Sequence, residues 1–337
     1  MNRFDYVRAG TVAEAIQALH ADPEARFIAG GTNLIDLMKY DVERPERLID
    51  ITRLPLTAIE EHEGGLRIGA LATNAAVAYD PRVRERYPVL ANAILAGASA
   101  QLRNAASTGG NLNQRTRCYY FYDTATACNK RVPGSGCSAV GGVNRIHAIF
   151  GTSEHCIATH PSDMCVALAA LEATVQVSGP EGERSIAFAD YHRLPGDDPA
   201  KDNTLQPGEI VVSVDLPKNG FATNYTYLKL RDRLSYAFAL VSVAAVLELD
   251  GDSVKTARLA LGGVAHKPWR NREAEAFLQG KSATRESFQA AADLVVAEAV
   301  PQSENGFKVE LARRAIVRGL GQAAAGTPQS LSDKRIQ

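Results

Sequence analysis

Four cysteines, Cys118, Cys128, Cys137 and Cys156, fall in one short stretch of a long chain and constrain it more than any other feature. Their spacing is C-x9-C-x8-C-x18-C. Only one other cysteine, Cys165, occurs in the 337 residues, and none lies in the first third or the second half. A disulfide framework in a chain this large has no need of such clustering, whereas a shared metal or iron–sulfur site does. Between the cysteines lie Pro133, Gly134, Ser135, Gly136, Gly141 and Gly142, so the stretch reads as loop, with too few apolar residues to order itself. Four thiolates suit a [4Fe–4S] cluster, one per iron, or a tetrahedral zinc. No C-x2-C pair is present, so spacing alone does not choose between them. Arg115, Arg117, Lys130 and Arg131 would offset the charge of a thiolate-bound centre. Cys165 sits with Met164, Val166 and Leu168 on an apolar helix face and reads as a core residue. His147, His155 and His160 read as polar loop residues rather than ligands.

The rest of the chain alternates helix and strand signals. Thr11 to Glu14 fits a capping box ahead of Val12, Ala15, Ile16 and Leu19 on one helical face. A short buried strand, 26–29, runs through Gly30 and Gly31 into a helix over 34–39, and 48–51 is a second strand. Residues 66–70 open a second unit, with helices at 88–96 and 162–171. A hairpin follows, with 174–177 and 184–186 flanking Gly179-Pro180-Glu181-Gly182. Residues 194–207, rich in Pro, Asp and Gly, read as an exposed loop, and 210–216 as a strand. Pro217 to Gly220 reads as a boundary. Strands at 225–230, 241–249 and 254–261 come next, then helices at 272–278, 285–299 and 307–320, and a frayed polar tail after Gly321.

Length and a 45% hydrophobic composition allow two or three packed domains. A net charge of −1 gives no reason to expect nucleic acid or anionic lipid as a partner. The longest apolar run, 238–249, is strand-sized, so no membrane insertion is expected. Phe4, Tyr6 and Val7 lead straight into the first helix, with no signal peptide pattern.

Two motifs share a composition: Ala29-Gly30-Gly31-Thr32-Asn33 and Ser107-Thr108-Gly109-Gly110-Asn111. Paired glycines let backbone approach a ligand and turn several N–H groups one way, and Thr and Asn add short donors. Two such loops could grip a pyrophosphate from both sides. Taken singly, each also fits an ordinary turn. Neither is G-x-G-x-x-G, so a Rossmann reading is unsupported.

These motifs with Leu34, Leu112, Pro161-Ser162-Asp163 and Tyr227-Leu228-Lys229-Leu230-Arg231 resemble the FAD-binding subunits of the molybdenum hydroxylase (xanthine dehydrogenase) family. Residues 114–118, 128–131, 133–137 and 265–270 are similar to those of bacterial periplasmic aldehyde oxidoreductases. The resemblance implies an α+β fold: a PCMH-type FAD-binding domain, 1–218, in subdomains of about 1–55 and 56–218 with an iron–sulfur loop at 114–157. A smaller CO dehydrogenase flavoprotein-like C-terminal domain, 223–325, would follow. It implies FAD held by Phe27, Ile28, Ala29, Gly30, Gly31, Thr32, Asn33 and Leu34, by Ser107, Thr108, Gly109, Gly110 and Asn111, and by Ile157, Asp163, Ile210 and Lys229. Ile210 would pack near the flavin. It implies Cys118, Cys128, Cys137 and Cys156 as ligands of a [4Fe–4S] cluster, an insertion most of the family lacks. The family often has an acid where Tyr236-Ala237-Phe238-Ala239 stands here, and no NAD site is identifiable.

The implied activity is divided among subunits. A large molybdenum-cofactor subunit would oxidise aldehyde with water to carboxylic acid. A small subunit with two [2Fe–2S] centres would pass electrons here, and an external acceptor would take them. Catalytic residues for the oxidation itself are then expected on the partner. Location would be periplasmic by co-export with a partner, or cytoplasmic. Alternatives are the FAD subunit of a hydroxybenzoyl-CoA reductase-like enzyme, a zinc-stabilised non-redox binding module and an independent FAD oxidase.

Overall fold

The computed structural model describes residues 1–330. The chain opens with β1 (Asp5–Arg8), α1 (Val12–Ala21), β2 (Arg26–Ile28), α2 (Leu34–Lys39) and β3 (Arg47–Asp50). The three strands form a parallel sheet in the order β1-β3-β2. Thr11 caps α1 by accepting the Glu14 amide at 3.1 Å, while the Glu14 carboxylate reaches back to the amide of Gly10 at 2.7 Å. That is one residue earlier than a capping box requires.

A second unit follows: β4 (Ile59–His62), β5 (Gly65–Gly69), α3 (Asn74–Tyr79), α4 (Pro81–Arg86), α5 (Pro88–Ala96), α6 (Ala100–Ala105) and α7 (Thr108–Leu112). Residues 113–162 are loop apart from α8 (Tyr119–Tyr122). The chain then resumes with α9 (Asp163–Leu171), β6 (Thr174–Gly179), β7 (Gly182–Ala187), α10 (Phe188–Tyr191) and β8 (Ile210–Leu216). The five strands make an antiparallel sheet, β4-β5-β8-β6-β7.

The last part is β9 (Tyr225–Leu230), β10 (Val241–Asp250), β11 (Ser253–Gly262), α11 (Arg272–Leu278), α12 (Arg285–Val296) and α13 (Phe307–Ala324). Its sheet is antiparallel, β11-β10-β9. Strand β10 is apolar on both sides for a packing reason. Ala244 and Val246 join the core built on α5 and α9, while Val243, Ala245 and Leu247 join the core under α12 and α13. A strand covered on both faces loses the alternation of a half-exposed one.

Two local expectations are corrected. Residues 194–207 are not simply an exposed loop: Asp197 is fully exposed, but Asp202 is drawn inward to Lys130 at 2.5 Å and Arg115 at 2.5 Å. The chain after Gly321 is not frayed at once. Helix α13 runs on to Ala324 with Ala323 fully buried, and the Gln329 amide donates to Thr226 Oγ1 at 2.9 Å. The rest of that tail, 331–337, lies outside the described residues.

Candidate functional site

A crevice of about 660 Å³ opens among the first unit, the second unit and the C-terminal sheet. That is within the size range of small-molecule and cofactor sites. Of the residues expected at a flavin, Thr32, Asn33, Gly110, Asn111, Asp163 and Lys229 line it. The others named in the two motifs form the backbone around those positions. Ile210 and Ile157 do not line it. Ile210 packs in the core under the parallel sheet with Ala15 and Ile49, and Ile157 packs among the cysteines.

The two glycine motifs look alike in sequence and differ in structure. In the first, no amide from Gly30 to Leu34 donates to a protein acceptor among the described residues. Gly31 has φ +70°, and a Cβ on Gly30 would lie 1.8 Å from the Ala105 carbonyl oxygen, so both positions are built for glycine. Asn33 Oδ1 accepts the Arg115 amide at 2.9 Å, and its buried Nδ2 has no partner. A buried donor without an acceptor is costly and is available to a ligand.

The second motif is not a loop but the short helix α7, capped by Ser107. Its amides are already spent: Thr108 on Ala72 O, Gly109 on Ala70 O, Asn111 on Ser107 O and Gly110 on Ser107 Oγ. Thr108 Oγ1 donates to Ala72 O at 2.9 Å. Asn111 donates to Asn74 Oδ1 at 2.8 Å and accepts from Gln114 at 2.6 Å and Ser162 at 2.6 Å. This motif therefore fastens three segments together and offers the crevice a close, featureless backbone surface at Gly110.

Asp163 begins α9, where the helix N-terminus favours a negative charge. Its oxygens accept from Tyr227 Oη at 2.6 Å and Lys229 Nζ at 2.8 Å. Burial and the Asp163 carboxylate push the Tyr227 phenol well above its usual range, so it remains a donor. Tyr236 and Phe238 close the crevice from the C-terminal side, although half or more of each is exposed. Sequence reasoning noted only the lack of an acid in this stretch; two aromatic residues close together, Tyr236 and Phe238, were the available signal.

Beside the crevice, all four clustered cysteines line one small void with Thr116, Phe121 and Ala139. None is in a disulfide. Cys118, Cys128 and Cys156 are buried, and Cys137 is partly exposed. Cys128 and Cys137 face each other in an isolated β-bridge. Burial pushes the Cys118 thiol up to about 12 and the Cys156 thiol up to about 11. A bound cation reverses that preference, because a coordinating thiol is deprotonated. Among the described residues, the one three-ligand group whose donor atoms all lie within 4.8 Å of one another is His160, Cys165 and His192. The four thiols are not among such groups.

The basic residues near the void differ from expectation. Arg115 pairs with Glu43 at 2.6 Å and with Asp202, Arg117 with Asp36 at 3.2 Å, and Lys130 with Asp202. Arg131 donates to the carbonyls of Tyr120, Phe121 and Thr126. Burial alone would raise the Asp202 carboxyl, but Lys130, Arg115 and His266 outweigh it and hold it well below the usual range. These cations pin the loop to its surroundings before they offset any cluster charge. Lys130, nonetheless, also lowers the Cys156 thiol electrostatically.

The histidines were misjudged in part. His155 is a polar loop residue as expected, but His147 is 1% exposed and its Nε2 lies 3.1 Å from Cys118 Sγ. His160 is buried and packs against His192 with ring centroids 4.4 Å apart. Cys165 is fully buried in the core, as read, and Trp269 stacks on Phe150.

Comparison with known proteins bears on this geometry. Residues 2–219 match the model of the FAD binding domain in molybdopterin dehydrogenase, and residues 225–323 that of the CO dehydrogenase flavoprotein C-terminal domain. The aldehyde oxidoreductase FAD-binding subunit PaoB of Escherichia coli K12 is 52% identical over 96% of this chain and 99% of its own. Among solved structures, carbon monoxide dehydrogenase from Hydrogenophaga pseudoflava superposes with a TM-score of 0.76 at 28% identity, covering 96% of this chain and 98% of that one. Quinoline 2-oxidoreductase from Pseudomonas putida 86 gives 0.75 at 26% identity, covering 97% and 98%.

Proposed function

Because this chain belongs to the FAD-binding subunits of the molybdenum hydroxylase family, with the mixed α/β fold of that family, we propose that it is the FAD- and [4Fe–4S]-binding electron-transfer subunit of a heterotrimeric aldehyde oxidoreductase. Aldehyde and water would become carboxylic acid on a molybdenum-cofactor large subunit, with two [2Fe–2S] centres on a small subunit. The single observation that carries the reading is the open first glycine motif facing a cofactor-sized crevice, with four thiols gathered behind its wall. Similarity to the subunit named PaoB supports aldehyde as the substrate class.

The flavin, when bound, supplies two-electron chemistry that can be divided into single electrons; the protein supplies binding, orientation and electrostatics. Amides of residues 30–34 and Asn33 Nδ2 are the groups available to a pyrophosphate. Gly110 gives close approach from the opposite side. Asp163, held by Tyr227 and Lys229, provides a fixed polar floor. Tyr236 and Phe238 limit water at the open side. Ile157 and Ile210 would act through packing behind these groups. Cys118, Cys128, Cys137 and Cys156, which line one void, would hold the cluster. We further propose domain limits of 1–218, with a subdomain break near 55, and 223–325.

No described helix is long and apolar enough to cross a membrane. Co-export of the assembled complex with a partner's signal is the localisation we favour. Co-expression with the neighbouring subunits, followed by flavin, iron and molybdenum quantification, tests the proposal. Flavin with the iron of one [4Fe–4S] cluster on this chain is the expected result. A preparation free of flavin that takes up none on addition would refute it.

A further inference from the structure

The crevice and the cysteine void share a wall, and Cys118 with His147 forms it. Among the four clustered cysteines, Cys118 alone lines both cavities. His147 lines the crevice and presents Nε2 to Cys118 Sγ at 3.1 Å. Its Nδ1 is buried and has no hydrogen-bond partner among the described residues. The backbone that carries it is clamped. Its amide donates to Asn144 O at 3.0 Å, and its carbonyl accepts from Asn305 at 3.2 Å and Lys308 at 2.9 Å. The rings of Tyr119 and Tyr120 stand 6.5 and 6.3 Å from the imidazole. The geometry therefore leaves His147 little freedom to turn away from the sulfur.

Resting on the reading of these cysteines as iron ligands, we propose that His147 is a positioning residue whose Nε2–H donates to Cys118 Sγ and raises the reduction potential of the iron–sulfur centre beside the crevice. An iron-bound thiolate has no proton, so so short a contact is attractive only with hydrogen on Nε2. Nδ1 has no acceptor to compete for that hydrogen. Donation to a ligand sulfur stabilises the more negative, reduced centre, and hydrogen bonds to sulfur are among the main determinants of cluster potential. Cys156 Sγ receives a weaker contact, the Ala158 amide at 3.5 Å, which no side-chain substitution removes. His147 is thus a side chain whose donated hydrogen bond can alter the potential, and it acts on the ligand that faces the crevice.

The test compares His147→Leu and His147→Met, which lack a donor, with His147→Gln, which keeps one. In the assembled complex, iron and acid-labile sulfide are measured first. The [4Fe–4S] signal is then followed by electron paramagnetic resonance through a redox titration. Expected are wild-type iron contents, a downward shift of the cluster midpoint in the donor-less variants, and substantial restoration in His147→Gln. An unmoved midpoint in an iron-replete His147→Leu or His147→Met complex overturns the inference while the cluster reading survives. Failure of both donor-less variants to assemble, or loss of iron from all three, assigns His147 a structural role and also overturns it. A wild-type complex with no [4Fe–4S] signal removes the cluster reading itself, and this inference with it.

Discussion

Lys229 Nζ lies 2.8 Å from Asp163 Oδ2, and each side chain is less than a tenth exposed. The two residues come from different layers, Asp163 from the start of α9 and Lys229 from near the end of β9. Lys229 also donates to the carbonyl of Ala96, the last residue of α5. The contact therefore ties the C-terminal sheet to two helices and, in the same place, forms the polar floor of the crevice.

Removing one member leaves a buried charge without its partner, which costs about 3–5 kcal/mol. Asp163→Leu should lower stability by that amount in urea unfolding and abolish flavin retention. Adding Lys229→Met should recover most of the stability, because an apolar pair can replace a buried ion pair. Flavin should stay absent in the double variant. Flavin content returning with stability would show that the polar floor is not needed.

Gly30→Ala should weaken flavin binding far more than it weakens the fold. The added methyl would overlap the Ala105 carbonyl oxygen, so the first motif must move away from α6. A displacement of the open amides is expected to weaken affinity at least tenfold, or about 1.4 kcal/mol. Fluorescence titration of the deflavinated protein measures it, and wild-type affinity would count against the role given to residues 30–34.

Cys128→Ser and Cys165→Ser separate the two kinds of cysteine. Cys128 lines the void shared with the other three thiols, whereas Cys165 is wholly enclosed in the α5–α9 core. Cys128→Ser should lose the iron. Cys165→Ser should keep iron and flavin and lose only about 1–3 kcal/mol, from burying a hydroxyl where a thiol had packed. Iron retained in Cys128→Ser would remove that residue from the ligand set.

Acid should destabilise the protein in a defined window. Burial holds His192 at about 4, and burial with Lys130 holds His266 at about 4, against an unfolded value near 6.5. Between those values the unfolded chain binds protons that the folded chain refuses. The stability is full above about pH 6.5 and declines as pH falls toward 4. At about 1.4 kcal/mol per pH unit, each histidine contributes at most about 3–4 kcal/mol to the loss. Urea unfolding from pH 7.5 to 5 should show the slope, and His192→Asn should reduce it while leaving the part due to His266. An unchanged slope in that variant would exclude His192 as a source.

Much of the fold was legible because its signals are local. The hairpin at Pro180-Glu181, the turn at Asp250-Gly251-Asp252 and the cap at Thr11 depend on neighbours within a few residues. The cysteine stretch declared itself in the same way, since clustered thiols in a glycine-rich loop need no tertiary context to be noticed. The family resemblance brought the two glycine motifs and Asp163 to one site. It did not distinguish their duties.

By itself, the sequence determined the longer helices and strands, the Pro180-Glu181 hairpin, and that Cys165 belongs to a helix core while the other four cysteines cluster in a loop. Tertiary structure alone decided which amides remain open, which cations are already paired, and that His147 meets Cys118. The reason is range. Propensity, capping and turn chemistry act over a few residues, whereas a hydrogen bond between groups 29 positions apart exists only once the intervening chain has been folded around them.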